Sequence, residues 1–329
     1  MKRKGGIVKA VTLASVVVLA GCGVRHTGEE TMSGNRPAAR GEVLGDPSFA
    51  RGMAVSPLWP EIVQRDGGFE KTNTDTVRFG RRKVDPVWQM AQWASRYDLA
   101  GTVARREDGG WTVYANEGKR IARKNDGTLL LDITTSAEYE TPRAGGEPWP
   151  HLLVQQDFVR RPNIGRIRGL DFSMDLRIVR CENRMAEADY DPALHTAQSP
   201  FYFYMRNVDS RSPDYGLSLW VGIPSFDYRY PQMSGQESVH WDIGTSTYIY
   251  SIPPRTVWGD VSFHDFEWHS ARLDVLPLIR RAVEAMREKG LFVDTQLEDL
   301  ELTGMNFGWE VPGTFDAGLM VRNLSIRIR

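Results

Sequence analysis

The chain has 329 residues, with 41 Lys and Arg against 42 Asp and Glu, for a formal net charge of −1. No basic block and no phosphate-cradling glycine loop interrupts that balance, which excludes nucleic acid as a partner. With 41% hydrophobic residues and only two cysteines, Cys22 and Cys181, the fold must be held by a packed core rather than by a disulfide framework.

In chain order, the first element is a leader. Lys2, Arg3 and Lys4 form a positive start, an apolar run from Ala10 to Ala20 follows, and Leu19-Ala20-Gly21-Cys22 places small residues just before a cysteine. The run is too short to span a bilayer. Leu-Ala-Gly-Cys resembles the lipobox of bacterial lipoproteins. That resemblance implies removal of residues 1–21, a diacylglyceryl thioether on Cys22 and an acylated new N-terminus. Gly23 after the cysteine, in place of Asp, resembles an outer-membrane address. The expected location is the bacterial cell envelope, with membrane contact through the N-terminal lipid only; an ordinary signal peptide with an incidental cysteine is the alternative. Loss of Lys2, Arg3, Lys4 and Lys9 with the leader leaves 37 basic against 42 acidic side chains, a net charge of −5.

Residues 22–48 are polar and rich in Gly, Glu, Arg and Pro, which predicts a flexible tether. Residues 49–110 are expected to form a helical and irregular segment packed on the main domain, with a small helix from Asp85 to about Arg96, capped by Asp85 and started by Pro86. Trp111–Ala115, Arg120–Arg123 and Thr128–Thr134 read as a meander, separated by Asn116-Glu117-Gly118 and Asn125-Asp126-Gly127 turns.

From residue 150 onward the pattern alternates with period two. Phe172, Met174 and Leu176 oppose Asp175 and Arg177; Phe201, Phe203 and Met205 oppose Tyr202, Tyr204 and Arg206; Leu219, Val221 and Ile223 oppose Trp220; Met305, Phe307 and Trp309 oppose Asn306 and Glu310. Further strands are predicted at 151–158, 246–252, 267–273 and 318–328. Asp274, Pro277 and Gly290 bracket an inserted amphipathic helix near 274–289. Together these elements predict an all-β, two-sheet antiparallel sandwich over residues 111–329.

If the polar sides share one face, that face carries Asp175, Arg177, Tyr202, Tyr204, Arg206, Trp220, Asn306 and Glu310, joined by His151 and Gln155. Aromatic rings stack on the C–H face of a sugar, and acids, amides and Arg bind its hydroxyls, so this inventory suits a carbohydrate. A solvated outer sheet face is the plainer reading. The segment 224–242 adds Asp227, Arg229 and Trp241, and either carries part of the site or packs as a lid. Glycosidase chemistry needs two carboxyl groups, for which Glu310 with Asp175 or Asp242 are the candidates. A polysaccharide lyase would use a charge neutraliser and a base, drawn from Arg177, Gln155, His151 and Tyr204. The six histidines show no metal-ligand spacing. No cofactor is expected, with a structural calcium ion held by Asp and backbone carbonyls as an option. Cys181, at the end of an apolar strand, reads as a buried inert thiol.

The Pro148-Trp149-Pro150-His151-Leu152-Leu153 lead-in, the Trp220-Val221-Gly222-Ile223-Pro224 strand end and the run from Asn306 to Asp316 resemble a group of bacterial secreted lipoproteins that are similar to the concanavalin A-like lectin/glucanase jelly roll. The resemblance covers about two-thirds of the chain and implies a curved sandwich whose concave face holds a saccharide. It transfers no catalytic set, because the Glu-x-Asp-x-x-Glu strand of the glucanase branch has no match here. The first reading is therefore a lipid-anchored protein that binds poly- or oligosaccharide in a jelly-roll groove. Its rivals are a glycan-cleaving enzyme, hydrolase before lyase, that uses Glu310 with a second carboxylate, and a structural envelope protein without sugar activity.

Overall fold

The computed structural model describes residues 41–59, 64–65, 68–69, 73–80, 84–232, 235–242 and 246–329. The leader, Cys22 and most of the expected tether lie outside the described residues. In chain order the strands are β1 (Gly41–Glu42), β2 (Met53–Val55), β3 (Gln64–Arg65), β4 (Gly68–Phe69), β5 (Asp75–Val77), β6 (Trp88–Ala91), β7 (Arg105–Glu107), β8 (Trp111–Ala115), β9 (Lys119–Lys124), β10 (Leu129–Thr134), β11 (His151–Asp157) and β12 (Leu170–Asn183). They continue with β13 (Gln198–Asn207), β14 (Ser218–Asp227), β15 (Ser238–Asp242), β16 (Thr247–Ser251), β17 (His269–Asp274), β18 (Leu300–Glu310) and β19 (Phe315–Ile328), with helices α1 (Pro254–Trp258) and α2 (Leu276–Glu288) inserted around β17.

These strands form the predicted two-sheet sandwich, but it begins well before the expected residue 111: β2, β5 and β6 join one sheet and β1 and β7 the other, so the expectation of a helical and irregular segment over 49–110 is corrected. An eight-stranded sheet runs β17-β12-β19-β10-β9-β8-β7, with β1 beside β19, and a nine-stranded sheet runs β15-β16-β14-β13-β18-β11-β6-β2-β5. Pairing is antiparallel except for β14 with β16 and β2 with β6. Between the sheets lies one large core that includes Phe172, Leu176, Phe201, Phe203, Val221, Met305, Phe307 and Trp309. Phe172 meets Phe201 and Phe203 edge-on at 5.0 and 5.7 Å, and the Trp309 indole N–H donates to the Leu131 carbonyl at 3.1 Å. That bond ties β18 to the opposite sheet and satisfies a buried donor.

The alternation read from sequence decides which side chains enter this core, and the structure extends the strands. Two local expectations change. Residues 88–91 form strand β6 rather than a helix: Trp88 and Met90 are buried while Gln89 points the other way, a period of two that lets β6 pair with both β2 and β11. Tertiary pairing here overrides the capping signal of Asp85 and Pro86. The chain is also already in the fold at Gly41. Val43, Leu44 and Phe49 are buried, and Glu42 accepts from the Ile326 N–H at 2.9 Å. The tether reading for 41–48 is therefore corrected, because two apolar residues there find core space.

The second helix forms as predicted, with Asp274 Oδ1 accepting from the Leu276 N–H at 3.0 Å and Ile279, Ala282, Val283 and Met286 buried. Gly290, at φ +74°, follows its end. Among the described residues no helix is long and apolar enough to cross a membrane.

Candidate functional site

The nine-stranded sheet turns its second face away from the core, and its register lines up the polar residues of five strands. His151 on β11 is opposite Glu310 on β18, which is opposite Gln198 on β13. Beyond the intervening Leu153–Gly308 pair lies a row of Gln155, Asn306, Tyr202 and Gly222, and the row after it pairs Tyr204 with Trp220 and Trp220 with Ile249. The rings of Tyr202 and Tyr204 lie 5.5 and 4.4 Å from Trp220 and make an aromatic floor. Beside it the amides of Gln155, Gln89 and Asn73 are hydrogen-bonded in series across β11 and β6. Asn306 Oδ1 is buried and finds no partner among the described residues. Gly308, at φ +142°, has no room for a side chain, since a Cβ there would lie 2.3 Å from the Leu152 carbonyl oxygen. Glycine thus lets β18 approach β11 closely next to Glu310.

Glu310 is the electrostatic centre of this face. Burial pushes its carboxyl up to about 7, the hydrogen bond from Gln198 Nε2 at 2.8 Å opposes that rise, and the charge of Asp242 adds to it. Burial, then Glu310, then Asp242 also drive the Tyr202 phenol far above its ordinary value. His151 stays neutral. Burial takes it down to about 4, against hydrogen bonding to the backbone of Trp149 and Trp93, whose rings lie 5.8 and 6.0 Å from its own.

The lining of a cavity reveals the shape of the sheet. Asp242 sits on edge strand β15, four strand spacings from β18. In a flat sheet that is about 19 Å across the strands, and the register sets the two further apart along them, since Asp242 is aligned through Thr247 with the Ser218–Arg206 end and Glu310 with the Gln198 end. Residues of β13 and β15 nonetheless line one cavity, so the sheet curls over this face. A cavity of about 450 Å³ occupies the curl, lined by Gln198, Pro200 and Tyr202 of β13, Pro224 and Phe226 of β14, Ser251 of β16 and Ser238 and His240 of β15. Asp227, Arg229 and Tyr230 border it at one end.

The residues singled out from sequence divide into three sets. Glu310, Asp242, His151, Gln155, Tyr202, Tyr204, Trp220 and Asn306 share the curled face, with Arg206 exposed at the far end of β13. Asp227 and Arg229 border the cavity and are bonded to each other at 2.6 and 2.9 Å. The remaining three lie elsewhere. Asp175 and Arg177 belong to β12 of the eight-stranded sheet, so the shared face expected for them is corrected: alternation fixes a side of a strand, not the sheet the strand joins. Arg177 Nε donates to the Phe266 carbonyl at 2.6 Å. Trp241 alternates with His240 and Asp242, and so lies on the opposite face of β15, half exposed and edge-on to Tyr248 at 4.7 Å. Gln198, Gln89, Ser238 and Ser251 went unnoticed in the sequence. Gln198 continues the period of Tyr202 and Tyr204, but Pro200 between them broke the strand pattern.

Among the described residues no group of three or more His, Cys, Asp or Glu is arranged to hold a metal ion. Burial raises the Cys181 thiol to about 12, in keeping with an unreactive side chain.

No protein-family model matches this chain, and no curated protein sequence does. Among solved structures, the chain is similar to a thermostable cellulase derived from Cel12A of Rhodothermus marinus, at 11% identity over 74% of this chain and 100% of the other, with a TM-score of 0.39. It is similar to endoglucanase 3 of Trichoderma harzianum, from family GH12, at 10% identity over 75% of this chain and 100% of that one, with a TM-score of 0.37. The xyloglucanase domain of NopAA from Sinorhizobium fredii, solved in complex with cellobiose, matches at 10% identity over 71% of this chain and 100% of its own, with a TM-score of 0.36. With every one of these scores below 0.5, the functional reading rests on the residues of this chain alone.

Proposed function

We propose that the curled face binds a glycan and hydrolyses a glycosidic bond, with Glu310 as proton donor. One observation carries this reading: a carboxyl that stays protonated close to neutrality lies on an aromatic-floored face, within electrostatic reach of a second carboxylate. Trp220, Tyr202 and Tyr204 offer ring faces to the C–H side of a sugar, and Gln155, Gln198 and Asn306 offer amides to its hydroxyls. In the reaction Glu310 gives its proton to the glycosidic oxygen, the bond from that oxygen to the anomeric carbon breaks, and Asp242 either takes a proton from the attacking water or attacks the carbon itself. The anomer of the first-formed product, read by proton NMR, distinguishes these two courses.

Binding without cleavage accounts for the rings and the amides but leaves the raised pKa of the half-buried Glu310 carboxyl without a role. The lyase reading loses its cationic neutraliser, because Arg177 lies on the other sheet. A purely structural groove would need filling, whereas residues of 224–230 and 235–240 border the cavity. The decisive test incubates the protein with a panel of β-glucans, xyloglucan, xylan and mannan and follows reducing ends. Release by the wild type and loss in Glu310→Gln support hydrolysis; binding without release by the wild type returns the protein to the lectin reading.

We also propose that the chain is held in a bacterial envelope through a lipid on Cys22, a reading supported by the order of charge, apolar run, small residues and cysteine in the leader. Cys22→Ser should move the protein from the membrane to the soluble fraction and abolish labelling with palmitate. Retention of either in the variant would overturn the anchor.

A further inference from the structure

The curl of the nine-stranded sheet has a fixed wall. Glu237, directly ahead of β15, accepts the Tyr250 hydroxyl at 2.7 Å and a two-pronged bond from Arg281, Nη2 to Oε1 at 2.5 Å and Nε to Oε2 at 3.1 Å. Arg281 also reaches Glu288 at 2.5 Å. It projects from α2, whose other side is buried in the core, so the clamp has a rigid mount. A lone edge strand would be free to lie flat; this one is bonded on its inner side to β16 and held through Glu237 to a helix. The cavity therefore has a floor of β13, β14 and β16 and an end wall of β15, with the Asp227 and Arg229 pair across one margin. A groove that lets a polymer pass needs two open ends. Here the direction that runs across the strands, from Gln155 over Asn306 and Tyr202 toward Ser251, meets Ser238 and His240 on the wall.

We propose that this site receives the terminus of a glycan chain, seats its last sugar rings against β15 and releases short products from that end. The inference rests on the glycan-hydrolase reading and deepens it. Its chemistry follows from the wall and its margin: Ser238 and Ser251 present hydroxyls, and the Arg229 guanidinium is already engaged by Asp227. The pocket thus suits the uncharged hydroxyls of a terminal ring.

The test measures binding of Glu310→Gln, which leaves sugars uncleaved, to linear neutral hexasaccharides of β-linked glucose, xylose and mannose. Each is used untagged, or with a bulky fluorophore at the reducing or at the non-reducing end. A closed end predicts that a tag on one end weakens binding at least tenfold while a tag on the other is tolerated. It also predicts that Arg281→Ala and Glu237→Gln, which release the wall, restore binding of the blocked sugar. Equal tolerance of both tags, or unchanged discrimination in the two clamp variants, overturns the closed end and leaves hydrolysis standing. Failure of every hexasaccharide to bind, with no hydrolysis by the wild type, overturns both readings. Should Glu310→Gln fail to fold, the wild-type products decide: one short product from the first minutes supports the proposal, and a falling viscosity with a ladder of products overturns it.

Discussion

Two carboxyl groups, Asp175 buried and Glu310 half-buried, one on each sheet, show how the same chemical group is put to opposite uses. Asp175 on the eight-stranded sheet loses water, which would raise its pKa, but bonds from Ser270, Asn323 and Arg272, with the Arg272 charge, outweigh that effect and hold it below its ordinary value. Arg322 adds a further contact at 3.4 Å. Glu310 on the nine-stranded sheet loses water too and has, among the described residues, one amide partner and no cation to offset it. The result is a carboxyl with a raised pKa. A satisfied acid stabilises the fold; an unsatisfied one holds a proton ready for transfer.

The sharpest way to break this comparison is to neutralise the unsatisfied acid. Glu310→Gln should lower kcat by about 10²- to 10⁴-fold, the usual contribution of a general acid, while binding persists; retention of full turnover would sink the assignment. Next comes the floor: Trp220→Ala should weaken glycan affinity about tenfold by titration calorimetry, through loss of ring stacking. For the wild type, the rate should fall as pH rises through about 7, where Glu310 gives up the proton it must donate.

Stability carries the same signature with a defined sign. Because the folded pKa of Glu310, about 7, lies above its ordinary 4.5, its contribution is fully present below pH 4.5 and is lost as pH rises through 7. Glu310→Gln should therefore melt above the wild type at pH 8, by on the order of 5 °C, with little difference at pH 4. Asp175 runs the other way, stabilising above its ordinary range and losing that contribution in acid. The smallest effect on activity should come from Asp175→Ala, which costs about 1–3 kcal/mol of stability and leaves the rate per folded molecule within twofold. A large drop in that rate would mean that the two faces are coupled.

The comparison also marks what alternation in a sequence conveys. It placed Trp220, Tyr202, Asn306 and Glu310 on the non-core side of their strands, because a half-buried strand writes its burial at every second residue. It could not separate Asp175 from Glu310, whose strands show the same pattern and join different sheets. Two further features depend on long-range pairing: β6 took a strand partner where its flanking residues suggested a helix, and the curl that lets β13 and β15 line one cavity is a property of the sheet as a whole. Gln198 was hidden for a local reason, since Pro200 interrupts the period that would have pointed to it.

The order of the strands gives the wall a particular evolutionary freedom. Strand β16 pairs in parallel beside β14, and β15 pairs with the outer side of β16 at the edge of the sheet. The strand that closes the pocket is thus the last plank of the sheet, and nothing beyond it relies on its hydrogen bonds. Insertions or deletions around β15 can lengthen, shorten or remove the closed end while Glu310, Gln198 and Trp220 keep their places, so the length of the site can diverge among descendants faster than its chemistry.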